Sequence, residues 1–465
     1  MTNIVAILGL TFFLLCLVFV VLHSLRLGRL TLLDWAMLGM GGVYGAGWVL
    51  VVFVTREGGN PTWEKWLLPF EHLYPMHTLS ASILAVSVLF GWSLFGSLRF
   101  VRRIAAPQSP SKIRNSRLIV AMWALLMTAF FMQWLYTQAY GGFIGLLEYS
   151  ASIRSAIFHV ENPLSFLRPF GGLALFASFG FFGLWLSRCR SLTVWLGLFF
   201  SIVFSLYLLY SWLGRIGFLV YLSTFFLGAL LSRHQRPLVL LVGGGAVMFA
   251  IVIAAYYLSL WLNMKPADSL AAFLARELAF PFVSFFAQLD LGEHLFRGFK
   301  DFIVAPVYLL PSSLWSQWVE NVGQVNTAVI MGAQKGEQGV TGGIPVDLLT
   351  IGLMQAAMLG VAVVGVMFGA LLRLIQRLLD VIANPGVRAV FEAYVALKIA
   401  VLGIFYAQPA LVISGNFDLL VAVAMIAIII KAPRIRLLSQ SSQMMSEKGL
   451  GGFVSKTAHS VKREP

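Results

Sequence analysis

Four stretches of this chain, 4–21, 192–212, 238–261 and 353–372, run for 18 to 24 residues without one charged side chain. That is the length an α-helix needs to cross roughly 30 Å of hydrocarbon. A spanning segment must satisfy its backbone internally, as a helix or as a strand of a closed barrel, and these runs lack the period-two alternation of barrel strands. With 59% hydrophobic and 11% charged residues, the chain is also far more apolar than the soluble average of about half apolar and a quarter charged. The expected class is an all-α polytopic membrane protein with about 11 transmembrane helices, near 3–22, 35–54, 78–97, 118–138, 171–187, 193–212, 216–232, 238–261, 351–372, 389–408 and 411–430. The first run is followed by Arg26 and Arg29 rather than a small-residue cleavage site, which marks it as a retained helix. Residues 1–430 then form one transmembrane helical domain, and 431–465 a basic tail of disordered composition.

The charges give this bundle a direction. Alternate loops, among them 98–117 and the tail, hold 22 Lys and Arg with four acids; the opposite loops hold 10 with thirteen acids. The first set faces the cytoplasm by the positive-inside rule, so the amino terminus is expected outside and the carboxyl terminus inside. The cations are spread over short juxtamembrane loops, which topology and anionic headgroups explain better than nucleic acid does. Cys16 and Cys189 are too few for a disulfide framework or a metal cluster. No glycine-rich phosphate loop, paired CxxC, HExxH or Asp-x-Asp occurs, so neither a cofactor nor a metal is expected.

Two loops on the outer side are long, 139–170 and 262–350. Loops of this length are functional or disordered, and the second is too rich in Phe, Leu, Trp and Pro for disorder. Its apolar pieces 278–289 and 302–310 are too short to span, which fits interfacial or re-entrant helices against the outer leaflet, or a cap on the bundle. Five arginines, Arg154, Arg168, Arg215, Arg276 and Arg297, lie on this disfavoured side. The planar guanidinium fork binds phosphate oxygens in pairs, so a membrane-borne diphosphate is a natural partner. The bland readings are that Arg276 pairs with Asp268, that Arg297 pairs with Glu293, and that Arg168 snorkels beside a helix end. His159, Glu161, Glu277, Asp290, Glu293 and His294 are the acid–base candidates in the same loops, and a helical spacing of three would put His294 and Arg297 on one face. Within the membrane, Glu392 is expected to snorkel, and Lys398 and Asp418 to pair between helices.

Tyr149-Ser-Ala-Ser-Ile-Arg154, the turn Gly214-Arg215-Ile-Gly-Phe218, the Arg276 segment with Pro281, the stretch Arg297-Gly298 to Pro311, and Gly342-Gly-Ile-Pro-Val-Asp-Leu-Leu-Thr-Ile-Gly352 leading to Gly360 resemble the O-antigen polymerase family of oligosaccharide repeat-unit polymerases. The resemblance covers roughly residues 140–370, and Asp347 stands where relatives often carry Glu. It implies a GT-C-like helical bundle in the bacterial inner membrane and a metal-independent, inverting glycosyl transfer between undecaprenyl-diphosphate-linked glycans at the periplasmic face. A chain-length regulator protein is an implied partner. Arg154, Arg215, Arg276 and Arg297 would hold the lipid diphosphates, with His294, Glu293 and Glu277 as candidates for the base. An O-antigen ligase, which differs in its acceptor, and a lipid-linked oligosaccharide flippase are the competing functions.

Overall fold

The computed structural model describes residues 2–97, 115–155, 162–212, 215–233, 236–261, 269–310, 314–338, 340 and 342–431. The described residues are helical throughout, without a strand, and the tail expected at 431–465 falls almost wholly outside them. Among the described residues ten helices are long and apolar enough to cross a membrane, or eleven if the bent pair Leu270–Leu278 and Phe280–Leu291 counts as one span, the layout of a polytopic membrane protein. The tenth expected helix, 389–408, is present as Pro385–Val395 continued by a π-turn, Ala396–Val401, and a last turn, Leu402–Phe405. The outward faces of the long helices carry bare apolar side chains such as Leu15, Val86, Phe199 and Val242, each more than 60% exposed. Such a surface suits lipid and would aggregate in water.

Between helices, lipid supplies no hydrophobic drive, so close approach of backbones has to do the work. Leu348–Asp380 packs its Gly365-x-x-x-Gly369 stripe on the helix Tyr74–Ser97: Gly365 faces Leu84 and Ser87, and Gly369 faces the backbone of Val88 and Trp92. Gly91 answers from the other side, pressed on the backbone of Val366. In the same way Gly9 and Gly45 bring the first two helices together, and Gly183 meets Gly386. The second helix, Leu32–Arg56, opens into a π-turn at Gly41–Gly47, whose glycines sit against Phe13 and Cys16.

Three corrections concern the loops and buried charges. The segment 278–289 does not lie on a leaflet surface or cap the bundle: it is the helix Phe280–Leu291, bent 41° from Leu270–Leu278, and Pro281 to Gln288 are all buried. The bent pair has the length and composition of either a broken span or a re-entrant loop, and four phenylalanines in seven residues bury it in an aromatic core. Lys398 and Asp418 lie within electrostatic reach of each other but make no direct contact; the Asp418 carboxylate lies against Gly172 and accepts the Leu419 N–H at 2.8 Å, while Lys398 is carried on the π-turn. Glu392 does not snorkel, because Gln376 donates to it at 3.2 Å and Arg388 sits 3.9 Å away.

Gly91→Val and Gly369→Val should each destabilise the protein by about 1 to 3 kcal/mol through overpacking, whereas Gly245→Ala, which faces open space, should be neutral. Thermal unfolding of the detergent-solubilised variants checks this, and an unchanged Gly369→Val would remove the packing argument.

Candidate functional site

The helix Leu348–Asp380 is interrupted at Ala356 (φ −161°, ψ 46°) and Ala357 (φ 51°, ψ −137°). Nine residues of straight helix span about 13 Å, yet a Cβ on Gly352 would come within 2.7 Å of the Val361 Cα. The stretch 348–355 therefore folds back on the following turns as a short re-entrant helix. Two glycines, Gly352 and Gly360, permit the contact: each occupies the space where the other's side chain would stand.

A reversal of this kind strands backbone groups, and a neighbouring segment satisfies them. The N–H groups of Arg297 and Gly298 donate to the carbonyls of Met354 and Gln355, both at 2.9 Å, and the Ala357 N–H donates to Leu295 O at 3.0 Å. Side chains then lock the segment. Arg297 donates to both oxygens of Asp301 (2.8 and 3.0 Å) and to Glu320 (3.3 Å), while the Gln355 amide donates to Asp301 at 2.8 Å. Burial works against the Arg297 cation, but Asp301 and Glu320 more than offset it and raise its pKa.

The start of the re-entrant helix is pinned as firmly. Ile344 N–H donates to Thr327 Oγ1 (2.8 Å), Asn326 Nδ2 donates to the Ile344 carbonyl (3.2 Å), and the Gln408 amide oxygen accepts from Val346 N–H at 3.2 Å. Asp347, fully buried immediately before the span, caps the helix by accepting from Leu349 N–H at 3.1 Å. Its other partner is the Tyr44 hydroxyl, which donates at 2.7 Å from the π-turn of the second helix. Burial pushes the Asp347 carboxyl up to about 6, against hydrogen bonds that favour the anion. Beside Tyr44 lies His77, enclosed by Trp48, Phe282 and Phe285 with ring centroids 5.0 to 5.2 Å away, and neither ring nitrogen has a hydrogen-bond partner. Buried polar atoms without a partner are uncommon in native proteins, and those of His77, Asp347 Oδ1, Thr350 and Gln355 lie on or beside this element, though others occur elsewhere in the bundle.

Of the residues singled out from the sequence, Arg276 is half-buried in the last turn of Leu270–Leu278, and Glu277 beside it is exposed. Glu293 is exposed and His294 half-buried. The helical spacing expected for His294 and Arg297 is absent: Gly292 (φ 65°) ends the helix, and Gly298 (φ 62°) and Phe299 (φ 60°) turn the chain instead. Arg297 is not offered to a diphosphate, since its fork is filled by Asp301 and Glu320 rather than by Glu293. Arg154 and Arg215 lie on the helices Gly142–Ser155 and Arg215–Arg233, but their side chains fall outside the described residues, as do His159, Glu161 and Asp268. The sequence reading passed over Tyr44, His77, Asn326, Asp301 and Gln355. The clue was there in Gly-Gly-Val-Tyr-Gly-Ala-Gly, a glycine run with one tyrosine inside an apolar helix, and in polar residues embedded in apolar stretches. Compared with protein-family models, curated proteins and solved structures, the chain matches none of them.

Two outcomes follow. Asp301→Asn should lower stability by about 3 kcal/mol, the cost of leaving a largely buried guanidinium without its main partner, and replacing Arg297 and Asp301 together with apolar residues should do less harm than either change alone; equal damage from all three would refute the latch. Because the folded carboxyl of Asp347 titrates near 6 and an unfolded one near 3.8, its contribution to stability is present below about pH 4 and fades as pH rises through 6. Asp347→Asn keeps the cap and should flatten that part of the stability profile; an unaltered slope in thermal unfolding across pH 4 to 7 would contradict the assignment.

Proposed function

We propose that the protein is a membrane glycosyltransferase that joins undecaprenyl-diphosphate-linked oligosaccharide repeat units, acting on the bilayer face opposite its basic loops. In this reading that face is periplasmic and the membrane is a bacterial inner membrane. The observation that carries the proposal is the long loop that enters the bundle instead of covering it. Its helix Phe280–Leu291 is buried in the aromatic core, Arg276 stands at the bend leading into that helix, and the loop's own surface leaves Phe296, Ile303, Leu310 and Trp318 exposed. A loop that carries both exposed apolar side chains and a half-buried guanidinium suits a substrate that is part lipid and part diphosphate.

The reaction follows from that placement. A hydroxyl oxygen of the acceptor glycan attacks the anomeric carbon of the donor, the bond from that carbon to the diphosphate oxygen breaks, and both electrons leave with the lipid diphosphate. The hydroxyl proton passes to a base, for which Glu277, Glu293 and His294 are the candidates on the same loop. Negative charge grows on the leaving group as the bond stretches, so a fixed cation at Arg276 favours the transition state over the ground state. Both substrates are already confined to one leaflet, which removes much of the entropic cost of meeting. A ligase would use the same steps with a different acceptor.

One observation favours a second reading, a lipid-linked oligosaccharide transporter. Discontinuous helices and unpartnered polar groups in the bundle, as at 348–357 and around His77, are how transporters build substrate sites. Purified protein given lipid-linked repeat units separates the two. Polymerase activity yields products of two and more repeats by mass spectrometry, and Arg276→Gln, still folded, should slow it by about 10²-fold. Movement of the lipid between leaflets without any new glycosidic bond would overturn the proposal.

A further inference from the structure

On the side of the bundle that carries the basic loops, a cleft of about 490 Å³ opens between the first helix, the helix Tyr74–Ser97 and the far end of Leu348–Asp380. Its volume is that of a small-ligand site. Phe19, Leu33, Leu89 and Trp92 line it together with Ser93, Ser97 and the His23 ring, which is tied to Asp34 at 2.7 Å, and its permanent cation is Arg373. The guanidinium lies over the Trp92 ring at 4.8 Å and rests above Gly96, where any Cβ would come within 3.1 Å of its Nε. Gly96 thus makes the room in which the cation is held.

Among the described residues no carboxylate forms an ion pair with Arg373, and Asp380 and Asp34, the acids at this end of the bundle, are committed elsewhere. Asp34 accepts from His23 (2.7 Å) and from the Thr31 N–H and hydroxyl (2.7 and 2.8 Å), and Asp380 is held by Arg29 and Arg388. The Arg373 Nε is buried and has no hydrogen-bond partner. One turn further along the helix comes Arg377, a like charge at a spacing that repels. A half-buried cation with an unused fork and a second cation beside it call for an anion with several oxygens, while the Ser93 and Ser97 hydroxyls are spent on the carbonyls of Leu89 and Leu94. The apolar lining continues onto the bare outer surface of the same two helices at Leu15, Leu22, Phe90 and Leu94, which is where acyl chains would run.

We propose that this cleft binds the phosphate headgroup of an anionic phospholipid, with the diester oxygens on Arg373 and the acyl chains along the groove beside Phe19 and Leu89. The site lies on the face opposite the proposed glycosyl transfer and does not depend on that reading. It gives the bundle a lipid-composition sensor: the bound headgroup ties the re-entrant helix's long continuation, Leu348–Asp380, to the first and third spans through their shared cation.

The test uses the purified full-length protein in detergent and native mass spectrometry with added phosphatidylglycerol or phosphatidylcholine. Wild type should retain phosphatidylglycerol in preference to phosphatidylcholine, and Arg373→Gln should weaken that retention about tenfold, the loss of one charge-assisted pair of hydrogen bonds. Arg373→Lys, which keeps the charge but not the fork, should fall between the two and serves if Arg373→Gln does not fold. Arg236→Gln, an exposed change of equal charge on the same set of loops, should leave retention as in wild type. The proposal fails if wild type shows no preference between the lipids, if Arg236→Gln weakens retention as much as Arg373→Gln, or if millimolar inorganic phosphate displaces the lipid, which would make free phosphate the ligand.

Discussion

The constraint on which this structure rests is that a polypeptide inside a bilayer cannot leave its backbone polar groups unpaired, since no water is there to receive them and each orphan costs several kcal/mol. The break at Ala356 and Ala357 violates helical pairing within Leu348–Asp380, the longest helix among the described residues. It is tolerated because Leu295, Arg297 and Gly298 supply the missing partners. That repair makes two distant parts of the sequence obligatory neighbours, and the carboxylates of Asp301 and Glu320 are in turn placed by the need to neutralise Arg297 where it has been brought.

A second consequence concerns where polar side chains gather. The re-entrant helix begins at Asp347, whose negative end is favoured by the positive end of the helix dipole as well as by Tyr44. Asn326, Thr327 and Gln408 hold the extended approach to it, satisfying backbone groups that belong to no helix. Irregular backbone at membrane depth is found where it is buried in protein or lines a cavity. His77, buried and unpartnered, stands beside such backbone.

The glycines divide by role. Gly365, Gly369 and Gly91 let two long helices touch backbone to backbone, a rigid seam beneath the break. Gly352 and Gly360 serve the fold-back itself. Gly292 and Gly298 adopt left-handed φ and shape the turn that carries Arg297 to the break. Were the seam looser, the re-entrant helix and the loop docked on it would have no fixed platform, and the distances that the proposed chemistry needs would not hold.

By itself the sequence determined the helical class and most of the spans, because these follow from local properties: run length, the absence of charge and composition are legible residue by residue. Hydropathy could not show that 348–355 turns back, since a re-entrant helix and the start of a span have the same apolar content. Nor could spacing reveal that Arg297 is spent on Asp301, four residues away yet joined by a left-handed turn rather than a helix. The polar residues around Asp347 come from positions as far apart as Tyr44, Asn326 and Gln408. Only tertiary structure decided those partnerships, because a hydrogen bond depends on distances of about 3 Å that no one-dimensional pattern encodes.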